Sequence, residues 1–237
     1  MAHAASADRR ANPQPDAMIE PAAEAEASGR GGVSPATDRT GAEAAAGPRG
    51  RWGARDLAFV AVFAALIAVF AGLPAIPVGG AGVPITLQTL AIALCGMVLG
   101  PARAFLATAL YVGLGLIGLP IFSNFSGGLG VLAGPSAGYI AGFAVYALAA
   151  GAVAGWAVRR FRGWRLWLSL LIGGLVASFL TVHPLGIAGM AVNLDLTLTQ
   201  ALLADMPFWP GDAVKNAAAA ALAVLVHRAF PAVLVRR

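Results

Sequence analysis

The chain is poor in cysteine, in lysine and in charge of either sign. It has one cysteine, Cys95, which excludes an internal disulfide and a cysteine-based metal site; lying inside an apolar run, it reads as inert packing. Charged residues make up 11% of the 237 residues and hydrophobic ones 59%, with a mean hydropathy of +0.77. That balance excludes an ordinary soluble domain. Gly-Lys followed by Ser or Thr does not occur, so the chain has no P-loop and any ATP-driven step has to come from another subunit. Large apolar side chains are nearly missing from residues 1–50, where Ala, Gly, Pro, Asp, Glu and Arg dominate. Such a segment buries too little area to offset its ordering entropy and is expected to be a disordered tail. It has no apolar h-region with a cleavage pattern behind it, so it is not a secretory signal.

Long apolar runs fill residues 51–237 instead. A helix needs about 20 residues to span a bilayer core, and six candidate spans fit, at about 56–73, 84–100, 103–121, 135–158, 165–190 and 211–235. The expectation is an all-α integral membrane protein with six transmembrane helices. The second span is short and opens at the proline of "GVPITLQTL". Arg49, Arg51 and Arg55 precede span 1, and Arg103 follows span 2. Arg159, Arg160, Arg162 and Arg165 follow span 4, while Arg228, Arg236 and Arg237 close span 6. The loops 74–83, 122–134 and 191–210 contain neither Lys nor Arg. The positive-inside rule therefore puts both termini and the arginine loops in the cytoplasm. The pI near 10.3 is on this reading a topology signal, not a nucleic-acid footprint. Trp52, Trp156, Trp164, Trp167 and Trp209 lie near span ends, where an amphipathic ring suits the membrane interface, but Trp209 also falls in a more unusual stretch.

That stretch is "FWPGDAVKN", residues 208–216, which holds the only lysine. Pro210-Gly211 reads as a turn that leaves Asp212 in the first turn of the last helix, where a carboxylate suits the dipole. Lys215 opposes that dipole. At i, i+3 the two side chains share a face, and two readings stand: a structural ion bridge, or one wall of a ligand site, as intramembrane charge suggests. Two outer loops, "GLPAIPVGGAGVPITLQ" and "GLPIFSNFSGGLGVLAGPSAGY", each start Gly-Leu-Pro and run through glycines. They are either turns or the walls of a pocket open to the outside, since irregular backbone at membrane depth has to be buried or line a wet cavity. Gln88, Asn124 and Tyr139 would offer amide and hydroxyl groups to a small ligand there. His183 in span 5 reads as hydrogen-bonded packing, with no acid placed to orient it and no second intramembrane carboxylate to make a proton path. That argues against a stand-alone secondary transporter and against a hydrolase using Ser123 or Ser126. Small-x-x-x-small stripes on span 1 (Ala61/Ala65, Ala64/Ala68) and span 4 (Gly138/Gly142, Gly151/Gly155) read first as packing within the chain.

The segments "VPITLQTL", "YVGLGLIGLPIF", "GPSAGYIAGF" and "PFWPGDAVKN", in this order and spacing, resemble the BioY family, the biotin-binding membrane subunits (S components) of energy-coupling-factor transporters. The resemblance covers residues 55 to about 230 and leaves the long first tail outside it. It implies six membrane helices and an outward-facing biotin pocket beneath the loop joining spans 1 and 2. It also implies work with a transmembrane coupling subunit and two ABC-type ATPases, which use the ATP, and no cofactor in this chain. The Pro-Gly-Asp-x-x-Lys motif carries a ligand role onto Asp212 and Lys215. Asn124, Gln88 and Tyr139 match further ligand positions, and Ala61, Ala65 and Ala68 match an alanine-rich contact face for the coupling partner. Ser136 stands where a threonine is common, and the hydroxyl is retained. Biotin offers a ureido ring, an apolar thiophane and chain, and a carboxylate. Asp212 would accept ureido N–H bonds, Lys215 would meet the ureido oxygen or the carboxylate, and Phe122, Phe125 and Phe208 would cover the apolar part. An S component for another vitamin is the nearest alternative.

Overall fold

The computed structural model describes residues 52–77, 82–231 and 233, all within a compact unit spanning Gly50–Arg237. The expectation of a disordered tail over 1–50 lies outside the described residues. Seven α-helices follow: α1 (Ala54–Ala71), α2 (Gln88–Leu99), α3 (Pro101–Leu116), α4 (Ala137–Arg160), α5 (Gly163–Asn193), α6 (Leu198–Asp205) and α7 (Phe208–Ala229). Between α1 and α2 the chain forms a minimal antiparallel ribbon, β1 (Ile76–Pro77) with β2 (Pro84–Ile85). Two 3-10 turns, Ser123–Phe125 and Leu129–Ala133, link α3 to α4.

Apolar sequence makes these helices and lipid-compatible length separates them. α1, α4 and α5 are the three long and apolar enough to cross a membrane, while α2 and α3 are shorter apolar helices. At 1.5 Å per residue α2 extends only about 18 Å, short of a ~30 Å hydrocarbon core. Its end is set by Gly100, whose φ of 79° lets one residue close α2 and open α3, with Pro101 in the first helical turn. α5 is longer than expected, 31 residues, and carries Pro184 in its interior.

α4 packs on α2, α3 and α5; α1 lies on α2 and α3, and α7 on α2 and α5. The α4–α5 contact depends on the first small-residue stripe of α4: a Cβ on Gly138 would stand 1.9 Å from the carbonyl oxygen of Leu185. Packing within the chain holds for that stripe. It does not hold for Ala61 and Ala65, which are exposed, or fully for Ala68, which is half-buried; Ala64 alone of that set faces the core. The reason is rotational, because α1 turns Val60, Ala64, Ile67 and Ala71 inward and so leaves Ala61 and Ala65 on its outward face. Trp52, Trp156 and Trp164 are exposed as an interface ring would be, but Trp167 packs inward and donates to the carbonyl of Ala217 on α7.

Candidate ligand site at the loop end of the bundle

A cavity of about 320 Å³ lies at the end of the bundle that carries the two Gly-Leu-Pro loops. This falls at the lower end of the ~300–1,000 Å³ range of small-molecule pockets. Gly82 to Thr86 from the first loop and Phe122, Ser123, Asn124, Ser126 and Val131 from the second line it, so both loops are walls as well as turns. Gln88, Asn124, Tyr139, Asp212 and Lys215, separated by up to 127 positions in sequence, all line this one cavity.

The helix that supplies the ionic wall starts earlier than expected. α7 begins at Phe208 and runs through Pro210 and Gly211, which are not a turn. Proline is tolerated there because the first-turn N–H groups have no helical partner to lose. Asp212 is consequently a full turn inside the helix and does not cap it. Its Oδ1 lies 2.7 Å from Lys215 Nζ and accepts from Thr89 Oγ1 at 3.1 Å. Lys215 in turn donates to Thr89 Oγ1 at 2.9 Å. Asp212 is 4% and Lys215 7% exposed, so the pair is desolvated yet borders the cavity. An ammonium has three donors, and the protein's own oxygens use two of Lys215's in these contacts. Behind Asp212, Asn216 Nδ2 donates to the Asp212 carbonyl at 3.0 Å while Asn216 Oδ1 accepts from the Tyr146 hydroxyl at 2.9 Å, which pins this turn of α7 against α4.

Other expected groups arrive in altered roles. Gln88 Nε2 donates to Tyr111, whose hydroxyl donates on to the Ile121 carbonyl, so the amide also ties α2 to the start of the second loop. Asn124 is exposed at the rim in a left-handed conformation, φ 57°. Tyr139 presents its ring to the cavity, but its hydroxyl donates to Asp205 at 2.6 Å. Phe122 and Phe208 line the cavity as expected; Phe125 does not, being 71% exposed and turned against Gly72. Ile140, Phe143 and Val182 supply further apolar wall.

Asp205 overturns two expectations. The loop expected over 191–210 contains α6, started by a Thr197/Gln200 capping box, and the last residue of that helix, Asp205, is fully buried. Asp205 faces His183, whose Nδ1 lies 2.8 Å from Oδ2 and 3.0 Å from Oδ1. An acid does orient the histidine, and a second carboxylate does lie inside the bundle. The hydrolase reading still fails, for a different reason: the other ring nitrogen of His183 faces Asp212, at 3.4 Å, and not a serine. Nothing in the spacing of residues 183 and 205 marked the pair. The Thr-x-x-Gln signature was the available signal for α6, and Trp209, four residues after Asp205, donates to it at 2.8 Å. Thr89 was missed although it adjoins Gln88. Among the described residues no group of three or more His, Cys, Asp or Glu is arranged to hold a metal. The two imidazole nitrogens point apart, one to each carboxylate.

These features define a multi-pass membrane protein, all-α, with a small-molecule-sized cavity at one end of its bundle. The model of the BioY family matches residues 40–232. The biotin transporter BioY of Rhizobium etli is 33% identical over 178 residues, which span 75% of this chain and 95% of that one. The probable biotin transporter BioY of Bacillus subtilis is 33% identical, over 74% of this chain and 91% of its own. A crystal structure of the S-component for biotin from an ECF-type ABC transporter superposes with a TM-score of 0.68 at 26% identity, covering 73% of this chain and 91% of that one. The chain belongs to the BioY family.

Proposed function

We propose that this chain captures biotin as the substrate-binding S component of an energy-coupling-factor ABC-type transporter in the cytoplasmic membrane, and that the cavity described above is its site. The observation that carries this reading is the placement of the only lysine, buried beside Asp212 on the wall of a cavity otherwise lined by uncharged residues. Burying two charges is costly, and a bare structural bridge has no need of an adjoining cavity. On this reading Asp212 accepts ureido N–H bonds and Lys215 donates its remaining hydrogen to the ligand. Gln88 and Asn124 supply amide groups, Tyr139 contributes chiefly its ring, and Phe122 and Phe208 cover the thiophane. The chain is a binding subunit and not an enzyme.

In membrane terms α1 to α5 and α7 are the six spans, with α6 lying in an outer connection. An even number of spans returns both termini to the cytoplasm, where the arginine loops belong. The exposed stripe of Ala61 and Ala65, continued by the half-buried Ala68, is the surface for a transmembrane coupling subunit, itself joined to two ABC-type ATPases. Titration of the purified full chain with labelled biotin is the test. Saturable binding below micromolar concentration is expected, and its absence removes biotin in favour of another vitamin. The Asp205–His183–Asp212 line favours a second reading, proton-coupled transport by this chain alone. Full-rate concentrative uptake in cells lacking every ABC coupling partner would establish it; loss of uptake there supports the subunit reading.

A further inference from the structure

Asp205 sits at zero exposure among three donors: the Tyr139 hydroxyl, the Trp209 indole N–H and His183 Nδ1. An indole N–H can only donate, so this set suits an ionised carboxylate, and it puts a hydrogen on His183 Nδ1. The remaining question is the other ring nitrogen. His183 Nε2 is buried, has no hydrogen-bond partner, and stands 3.4 Å from Asp212 Oδ2. A neutral ring with its hydrogen on Nδ1 would aim a lone pair at a carboxylate oxygen in a water-poor interior, which is repulsive. A doubly protonated ring makes the same contact attractive. It also leaves the four ionisable groups, Asp205, His183, Asp212 and Lys215, summing to zero charge, as a low-dielectric site favours. The Phe179 ring stacked on His183, 4.5 Å between centroids, closes its face from solvent.

We infer that His183 is a positioning residue of the ligand site: an imidazolium, oriented by Asp205, that serves as the standing counter-ion of Asp212 on the side away from the cavity. Asp212 then does not depend on Lys215 alone. The ammonium is free to turn its charge toward an acceptor group of the ligand while Asp212 stays ionised and in place, held through Oδ2 by His183 and through Oδ1 by Thr89. The groups that face this ring from the elements around it are Asp205 of α6, Asp212 and Trp209 of α7, and Phe179 of its own helix; Tyr139 of α4 and Thr89 of α2 bond its two carboxylate partners.

This inference rests on the biotin-site reading above, and two measurements separate their fates. The first is the 15N NMR spectrum of the histidine rings in the full chain, assigned by comparison with His183→Gln. Both His183 nitrogens are expected to carry hydrogen in the biotin-binding protein at neutral pH. A neutral ring at neutral pH overturns the proposal whether or not biotin binds. The second is biotin titration and thermal unfolding of His183→Gln, Asp205→Asn and the double variant. Each single change is expected to weaken biotin binding by about tenfold or more and to lower the unfolding temperature, because each leaves an unmatched buried charge. The double variant restores the charge balance and should regain thermal stability while binding remains weak. Full recovery of affinity in the double variant makes the pair merely structural and overturns the proposal. Wild-type protein that binds no biotin, yet shows the doubly protonated ring, overturns the ligand reading alone.

Discussion

Two ion pairs with buried acids stand at different places in this bundle, and their geometry is almost the same. Arg103 Nη2 lies 2.8 Å from Asp56 Oδ1, and Lys215 Nζ lies 2.7 Å from Asp212 Oδ1. The acids are similarly shielded, at 3% and 4% exposure. What differs is what the remaining hydrogen-bonding capacity does. Asp56 Oδ2 reaches back to the N–H of Gly53 and so helps to start α1, while Arg103 Nη1 donates to the carbonyl of Val233 and its guanidinium lies over the Phe59 ring. That pair ties α1 and α3 to the segment at Val233 and does not line the cavity described above. Asp212 and Lys215 leave a donor over and face a cavity. Pairing distance and burial therefore say little about role; the destination of the spare donor says much more.

Breaking the second pair should have the largest effect on ligand capture. Lys215→Ala and Asp212→Ala should each weaken biotin binding by about 2–5 kcal/mol, since each strands a desolvated charge. Calorimetric titration checks this, with membrane insertion verified in parallel; retained affinity in both would return the pair to a structural role. Breaking the first pair should read out elsewhere. Arg103→Ala should cost about 1–3 kcal/mol of stability, lessened by the partial exposure of the arginine, and leave biotin affinity within about twofold. Thermal unfolding with and without biotin separates the two effects. Loss of affinity there without loss of stability would mean that the pairs are coupled.

A sharper version of the same contrast uses two phenylalanines three residues apart. Phe122 is 2% exposed, packs edge-on to Tyr111 and lines the cavity; Phe125 is 71% exposed. Phe122→Ala should weaken binding by about 1–3 kcal/mol, from lost apolar contact and a loosened wall. Phe125→Ala should change binding by less than about 0.5 kcal/mol, as surface substitutions usually do. Competition titration of the two variants resolves this, and an effect at Phe125 as large as at Phe122 would mean that the second loop folds over the ligand when it binds.

Residues that declared themselves in the sequence did so through local chemistry. Lys215 stood out because a cation near a helix start, in a chain with no other lysine, has no ordinary explanation. The glycine- and proline-rich loops stood out because such backbone is incompatible with lipid unless something uses it. The PGDxxK, TLQTL and GPSAGY segments were legible as motifs, and their polar residues do meet at one cavity. Asp205 was not legible, because it closes a short helix inside what read as a loop, and its partner is 22 positions away with no periodic relation to it. Phe125 was misjudged because composition names a residue type but not the face on which it ends up, and for the same reason the sequence left open whether Ala61 packs within the chain.

Hydropathy, arginine placement and the small set of polar residues in apolar runs are sums over neighbouring positions, and a bilayer acts on those sums directly. The sequence alone therefore determined that this is a helical membrane protein with an acid and an ammonium one turn apart in α7. Which groups complete that site was decided by the fold. α2 brings Thr89 within bonding distance of residues more than 120 positions later, and α5 and α6 set His183 and Asp205 behind Asp212. A buried charge has to find a partner wherever packing supplies one, and packing is a property of the whole bundle.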